Sequence, residues 1–334
     1  MKIPRLKLLL YEWCCSGGLA ALPSGNDLED LFAEGRMMLE ALAADAARDA
    51  SLDVTVLVDA AREITLPAGV CVQTVPHDDE ISTLVAAATQ ADRALLVAPE
   101  TDGILADRVG RVRAAGGSPV APSARFLAIA ADKQATIDAL ATAGVPVPAG
   151  RLLAADEPFP MGFRLPAIRK ARASAGCDGL QIIHRHGAFA AMTVATRLEA
   201  FMPGTPVGVS CLCGGGDLGI LPPLRQRFTD GERPRYLGSE PLSDRSLARR
   251  AEGLARRTVA ALERAAGSES AVGWVGVDMI LGDRHDGLDD RVLEVNPRLT
   301  TSFVVQSRGA PISLVRSMID RAATPRECTP LSRR

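Results

Sequence analysis

The stretch Gly273–Val305, GWVGVDMILGDRHDGLDDRVLEVNPRLTTSFVV, decides the fold of this chain. Two apolar runs, Val272–Leu281 and Val292–Val295, flank a polar segment that contains Asp286-Gly287. Apolar runs separated by a turn dipeptide of this kind are typical of a β-hairpin with a solvated loop. We therefore predict two antiparallel strands here.

Three oxygen-bearing side chains lie on this hairpin: Asp278, Glu294 and Asn296. Side chains alternate faces along a strand, so Glu294 and Asn296 share a face, and strand pairing would bring Asp278 to them. Buried carboxylates are costly unless they are paired or bind a cation. Carboxylate and amide oxygens suit Mg²⁺, and the nearby Arg298 could hold a phosphate or carboxylate in a bidentate fork. The alternative is an exposed hairpin whose Asp and Glu face water.

The composition is typical of a folded soluble protein. A length of 334 residues predicts two or three subdomains, and 47% apolar with 23% charged residues is an ordinary balance. A net charge of −2 gives no indication of a nucleic-acid or membrane partner. Leu6–Tyr11 is too short to span a membrane, and no signal-peptide cleavage pattern follows it. The seven cysteines and four histidines have no zinc-site spacing, which favours a reduced, cytoplasmic setting.

The first third of the chain alternates predicted strands with predicted helices. This alternation predicts a small parallel sheet up to about residue 120. No G-x-G-x-x-G motif opens any of the helices, so the nucleotide site need not lie here. The predicted strands are Leu6–Tyr11, Val54–Val58, Val70–Val75 and Arg93–Ala98, and the predicted helices are Asp27–Ala47, Asp79–Ala91 and Asp102–Ala115.

Lys133 stands in a position that suits anion binding. It lies near a helix start within Ala124–Ala143, a segment that ends at Gly144, a typical residue after a helix. A cation is unfavourable at the start of a helix unless an anion lies nearby. The alternative is a solvated lysine.

Lys170 ends the apolar strand Leu165–Lys170 and precedes a loop of small residues that contains Ser174 and Gly176. Backbone N–H groups of such a loop, together with the ammonium, could surround a phosphate. The loop lacks the G-K-[ST] of a Walker A motif. An ordinary β-turn also uses such residues.

Glu199 begins a segment that could line an adenine pocket. The side chains of Phe201 and Met202 would cover the ring, and Glu199 would accept from an N–H or a ribose hydroxyl. A strand that simply turns at Pro203-Gly204 is the alternative. The remaining predicted elements are a strand at Val207–Leu212, the segment Leu221–Phe228 with Arg225, an amphipathic helix at Ser243–Ala266 and a closing helix at Pro311–Ala322.

In this order the motifs resemble the ATP-grasp superfamily over about residues 120–320. The resemblance implies an α/β ATP-grasp fold, in which an N-terminal Rossmann-like α/β domain (1–122) precedes two α+β lobes (123–202 and 203–323) and a tail (324–334). It also implies ATP with Mg²⁺, or Mn²⁺, as cofactors. The implied ATP-binding residues are Lys133, Lys170, Ser174, Gly176, Glu199, Phe201 and Met202, and the implied metal ligands are Asp278, Glu294 and Asn296.

Three segments resemble a narrower group, the tyramine–glutamate ligases of methanofuran synthesis and their bacterial relatives. These segments are Glu12 with Ser16–Leu19, Leu31–Leu39 and Val295–Ser302. The resemblance implies an ADP-forming C–N ligase of EC class 6.3 that activates glutamate as an acylphosphate and joins it to tyramine or tyrosine. Arg298 and Arg225 would hold the transferred phosphate or the carboxylate of the acid.

Other functions remain open on the sequence. An ATP-grasp ligase of another amino acid or dipeptide would carry the same residues. A nucleotide-binding regulatory protein without catalysis would not need the full set of lysines and carboxylates, and a dinucleotide oxidoreductase would need the missing glycine motif. The expected partners are small acid and amine substrates, with no nucleic acid and no membrane, and a homodimer follows only by analogy with related ligases.

Overall fold

The computed structural model describes residues 4–23, 27–173, 179–186, 192–267 and 270–323. Three β-sheets follow one another along the chain, and helices pack against them. No helix in these ranges combines the length and the apolar character needed to cross a membrane.

The first sheet contains four parallel strands in the order β3-β2-β1-β4. Its strands are β1 (Leu6–Glu12), β2 (Leu52–Asp59), β3 (Cys71–Val75) and β4 (Arg93–Val97), and its helices are α1 (Asp27–Ala47), α2 (Glu80–Gln90) and α3 (Ile104–Ala114). The run from Leu8 to Tyr11 is fully buried, as expected for a parallel strand that is covered on both faces. The predicted parallel sheet is therefore confirmed.

Two short helices, α4 (Ala124–Ala131) and α5 (Lys133–Thr142), lead into the second sheet. Asp132 separates them, because its side chain accepts from the N–H groups of Gln134 and Ala135 and so begins a new helix. The sheet is antiparallel in the order β5-β8-β6-β7. Its strands are β5 (Gly150–Leu153), β6 (Ala167–Ala171), β7 (Gln181–Ile183) and β8 (Thr196–Ala200).

The third sheet contains the predicted hairpin. It has six strands in the order β12-β11-β9-β13-β14, with β10 paired to β9. The strands are β9 (Thr205–Cys213), β10 (Gly219–Ile220), β11 (Leu224–Phe228), β12 (Tyr236–Pro241), β13 (Gly273–Leu281) and β14 (Arg291–Asn296), and the helices are α6 (Arg245–Ala266), α7 (Ser302–Gly309) and α8 (Leu314–Ala323).

The two faces of β13 have different roles. Val275, Val277 and Met279 pack in one core with α6. On the other face, Trp274 joins the core of the first sheet and makes an edge-to-face contact with Phe303 of α7. This second face continues along the strand into the candidate site.

Near the end of the chain, the structure contains one helix that was not predicted and one that begins later than predicted. The sequence patterns did not predict α7, because its eight residues are too few to show a helical repeat. The closing helix begins at Leu314 rather than at Pro311. The predicted tail, residues 324–334, lies outside the described residues.

Candidate functional site

The centre of the site is a pair of carboxylates on neighbouring strands. Asp278 lies directly opposite Glu294, and Gly276 lies opposite Asn296. The Asp278 carboxylate accepts from the Asn296 amide at 2.9 Å and from the Gln226 amide of β11 at 2.8 Å. The predicted pairing of the hairpin is thus confirmed, and it brings all three proposed metal ligands to one face.

The charge of Asp278 is costly at this position. Burial, and then the negative charge of Glu294, raises the pKa of Asp278 from 3.8 to about 7. Since both causes act against the ionised form, a bound cation would offset both. The arrangement therefore favours a positive ligand between the two strands.

A β-bulge at Leu293 joins the second sheet to this hairpin. Asp278 pairs with Glu294, but the next residue, Met279, pairs with Val292, so Leu293 has no partner on β13. The main-chain carbonyl of Leu293 accepts instead from the ammonium of Lys170 at 3.0 Å.

Lys170 belongs to a buried ionic network. Its ammonium lies 2.9 Å from one oxygen of Glu199, and Arg197 donates to the other oxygen at 2.6 Å. Arg197 also donates to the side chain of Gln134 at 2.5 Å. Each oxygen of Glu199 thus contacts one cation, and the carboxylate holds Lys170 and Arg197 together at the end of β8. Its predicted contact with adenine or ribose stays a prediction.

Lys133 approaches the same site from the start of α5. It is buried, and its ammonium lies 3.7 Å from Glu294. Asp132, just before it, pairs with Arg172 at the end of β6. The structure therefore places a buried cation at a helix start, with an anion beside it, as the sequence suggested.

Two glycines make room for the side chains of the site. A Cβ at Gly208, which pairs with Asp278, would lie 3.1 Å from the Gln226 amide nitrogen and 3.3 Å from an Asp278 oxygen. A Cβ at Gly276 would lie 3.3 Å from the Thr300 methyl group. Glycine at these points lets the side chains of Gln226, Asp278 and Thr300 pack closely against the strands.

The donor set fits Mg²⁺. Two carboxylates and one amide oxygen match the few protein ligands that Mg²⁺ uses when substrate phosphates and water complete its shell. No group of three His, Cys, Asp or Glu side chains suited to a metal occurs in the described parts of the chain. A site for a metal held by protein alone is therefore not found there, whereas a shared phosphate–metal site is consistent with these residues.

Arg298 lies at the edge of the site and is paired. Its Nε lies 2.9 Å from Glu100, a buried residue just after β4 of the first sheet. Although burial opposes the charge of Arg298, the negative charge of Glu100 raises the pKa of the guanidinium, and Glu294 raises it further.

The other predicted site residues are Phe201, Met202, Ser174, Gly176 and Arg225. Phe201 and Met202 follow β8 and are half-buried. Ser174 and Gly176 lie outside the described residues. Arg225 is exposed, and strand alternation puts it on the opposite face from Gln226, so the structure does not bring it to the carboxylates.

Sequence reasoning missed Gln226, Arg197 and Glu100. The alternation of β11 offered a signal for Gln226, because a strand that turns one residue outward turns its neighbour inward. Arg197 stands two residues before Glu199 on the same strand face, a spacing that could have suggested their pairing. Glu100 gave no local signal, since its partner is far away in the sequence.

Comparison with known families agrees with the geometry. Residues 130–302 match the ATP-grasp domain family, and residues 52–125 match the pre ATP-grasp 3 domain. The chain belongs to the ATP-grasp family. No curated protein sequence matches it significantly.

Solved structures share the fold. A protein from Archaeoglobus fulgidus described as belonging to the ATP-grasp superfamily is 22% identical, with a TM-score of 0.69 over 94% of this chain and 88% of that one. The L-amino acid ligase of Bacillus licheniformis is 15% identical, with a TM-score of 0.66 over 97% and 76%. The D-alanine–D-alanine ligase of Bacillus anthracis is 16% identical, with a TM-score of 0.61 over 96% and 97%. At these identities the likeness establishes the fold alone.

Proposed function

We propose that the protein is an ATP-dependent carboxylate–amine ligase. The observation that carries the proposal is the convergence of two buried lysines, Lys133 and Lys170, on the strand pair that holds Asp278 and Glu294. Cations beside a carboxylate pair suit a triphosphate with its metal ion better than an uncharged ligand.

Each side chain of the proposed site has its own role in binding or catalysis. Lys133 and Lys170 bind phosphate oxygens, and Asp278, Glu294 and Asn296 would hold Mg²⁺ or Mn²⁺, which supplies neutralisation of phosphate charge. The carboxylate of the acid attacks the γ-phosphorus of ATP, and ADP leaves. The amine then attacks the acyl carbon of the acylphosphate, the bond from this carbon to the phosphate oxygen breaks, and the nitrogen loses a proton, which the departing phosphate can accept, so an amide forms. Arg298 stabilises the transferred phosphate during both steps.

For the substrates we propose glutamate as the acid and tyramine or tyrosine as the amine, as in methanofuran-type synthesis. Support comes from the three segments that resemble such ligases, of which the first two contact each other. The carboxylate of Glu12 lies against Gly35 of α1, where an added Cβ would come within 2.4 Å of it. The guanidinium of Arg298 pairs with Glu100, which follows the strand next to β1.

A cytoplasmic location belongs to the same proposal. The cysteines Cys14, Cys15, Cys71, Cys211 and Cys213 are all free. Free thiols suit a reducing compartment.

Phosphate release from Mg·ATP with glutamate tests the function, with tyramine, tyrosine and a panel of other amines added in turn. Release stimulated by tyramine or tyrosine, with the glutamyl amide seen by mass spectrometry, is the expected result. Stimulation by a different amine would keep the ligase and remove the methanofuran link. ATP binding without amine-dependent turnover across acids and amines would contradict the ligase.

A further inference from the structure

The ion pair between Glu100 and Arg298 joins the first sheet to the hairpin of the third. Glu100 follows β4, and Arg298 follows β14. The two side chains are only 6% and 11% exposed. A pair this deeply buried links the N-terminal domain directly to the proposed phosphate site.

Glu100 depends on Arg298 for compensation of its charge. Apart from this ion pair, neither carboxylate oxygen of Glu100 hydrogen-bonds to a described residue. Burying a carboxylate costs several kcal/mol unless a partner offsets it. The position of Glu100 is therefore favourable only while the guanidinium stays beside it.

The pair also restricts the position of the guanidinium. Nε lies 2.9 Å from a Glu100 oxygen in an ion pair without hydrogen-bond geometry, and Nη1 donates to the main-chain carbonyl of Leu299 at 3.1 Å. Nη2 makes no hydrogen bond to any residue that the structure describes. The ion pair at Nε and the hydrogen bond from Nη1 keep the guanidinium beside Glu100, and Nη2 remains as the donor for a ligand.

We propose that Glu100 is a positioning residue that holds Arg298 ready to bind the transferred phosphate. The inference rests on the proposed function, since it takes Arg298 as the phosphate ligand. It adds that the N-terminal domain takes part in this step through one carboxylate. Arg298 follows Asn296, the last residue of β14 and a proposed metal ligand, by two residues, so the guanidinium belongs to the end of the strand that carries the proposed site.

Binding of inorganic phosphate to the protein loaded with Mg·ADP tests the proposal without a known acid or amine. Isothermal titration calorimetry would compare wild type with Glu100→Gln, which keeps the shape and removes the charge. Phosphate affinity is expected to fall about tenfold or more, while Mg·ADP affinity stays unchanged. Glu100→Asp, which keeps the charge, should recover part of the loss.

Glu80→Gln is the matched control, because Glu80 forms a similarly buried pair with Arg108 in the same domain, both 11% exposed. This variant should bind phosphate like wild type. Equal phosphate affinity in Glu100→Gln and wild type would overturn the proposal, as would equal losses of phosphate and Mg·ADP affinity. If wild type binds Mg·ADP but not phosphate, the proposal for Glu100 is also overturned, whereas the proposed nucleotide site is still supported. If wild type does not bind Mg·ADP, the proposed function itself is refuted.

Discussion

The ammonium of Lys170 lies 3.0 Å from the main-chain carbonyl oxygen of Leu293, so a side chain of the second sheet contacts the backbone of the third. The contact exists because the bulge at Leu293 removes that residue from the β13–β14 ladder. The same ammonium pairs with Glu199. Lys170 therefore sits between the two sheets that the proposed nucleotide site would join.

Replacement of Lys170 by Met should lower amine-dependent phosphate release by about 10²–10³-fold, because a charge that stabilises the phosphates is lost. The variant should fold with reduced stability, because Lys170 belongs to the same buried network as Arg197, while Glu199 keeps its ion pair with Arg197. Circular dichroism and the phosphate assay check both statements. Lys7→Met, at an exposed lysine of β1, is the control and should keep full activity. Unchanged activity in Lys170→Met would remove this lysine from the site.

Glu294→Gln should abolish turnover while the protein still folds. The change removes one of two carboxylates proposed to hold the metal ion, and also one charge beside Lys133. We expect at least about a 10²-fold loss of activity and a smaller rise in melting temperature on adding Mg·ADP. Glu240→Gln, at an exposed position of β12 in the same sheet, should behave as wild type. Retained activity in Glu294→Gln would refute the metal assignment.

The raised pKa of Asp278 predicts how the stability of metal-free protein depends on pH. Burial and the charge of Glu294 raise this pKa from 3.8 to about 7, so the folded state binds a proton more tightly than the unfolded state. The stabilisation that this proton gives is complete below pH 4 and is lost as the pH rises through 7.

Asp278→Asn isolates that contribution, because the neutral side chain does not titrate. In EDTA, the melting temperature of the variant relative to wild type should increase between pH 5 and pH 8, by about 2–4 °C for each kcal/mol. Differential scanning calorimetry at several pH values measures the difference. A difference that stays constant with pH would mean that Asp278 is already ionised at pH 5.

Much of this fold could be predicted because its signals are local. The bounds of α1 were predicted to the residue, since its apolar positions recur over 21 residues. The hairpin was equally clear, and strand alternation alone placed Glu294 and Asn296 together. Patterns of period 3.6 and period 2 are therefore sufficient where an element is long and one of its faces is buried.

The site could be predicted only in part, because several of its contacts join distant residues. The choice of Arg225 over Gln226 depended on which face of β11 points inward, and that is set by pairing with β9 rather than by composition. The ion pairs of Glu199 could not be predicted either. One of them is to Arg197, which is buried, whereas local sequence patterns predict an exposed arginine on this strand. Long-range ion pairs leave no periodic trace in a sequence.

Arg197→Met should destabilise the protein by about 3–5 kcal/mol, because it leaves a buried network without one of its charges. Arg197 is 1% exposed and holds Glu199 and Gln134 together. Urea unfolding followed by circular dichroism measures the loss. Arg172→Met is the comparison: its pair with Asp132 is half-exposed, so its loss should cost about 1 kcal/mol or less. Equal effects of the two changes would contradict the buried network.

Gln226→Leu and Arg225→Ala together test which face of β11 serves the site. Gln226 donates to Asp278 at 2.8 Å, whereas Arg225 is exposed on the other face. Leucine at 226 removes the donor, so the Asp278 charge becomes costlier, and the Mg²⁺ concentration needed for half-maximal phosphate release should change several-fold. Arg225→Ala should leave both turnover and that Mg²⁺ concentration unchanged. Since the two residues are neighbours on one strand, general damage to β11 would affect both variants alike. A severe loss confined to Arg225→Ala would instead restore the sequence-based assignment of this arginine to the transferred phosphate.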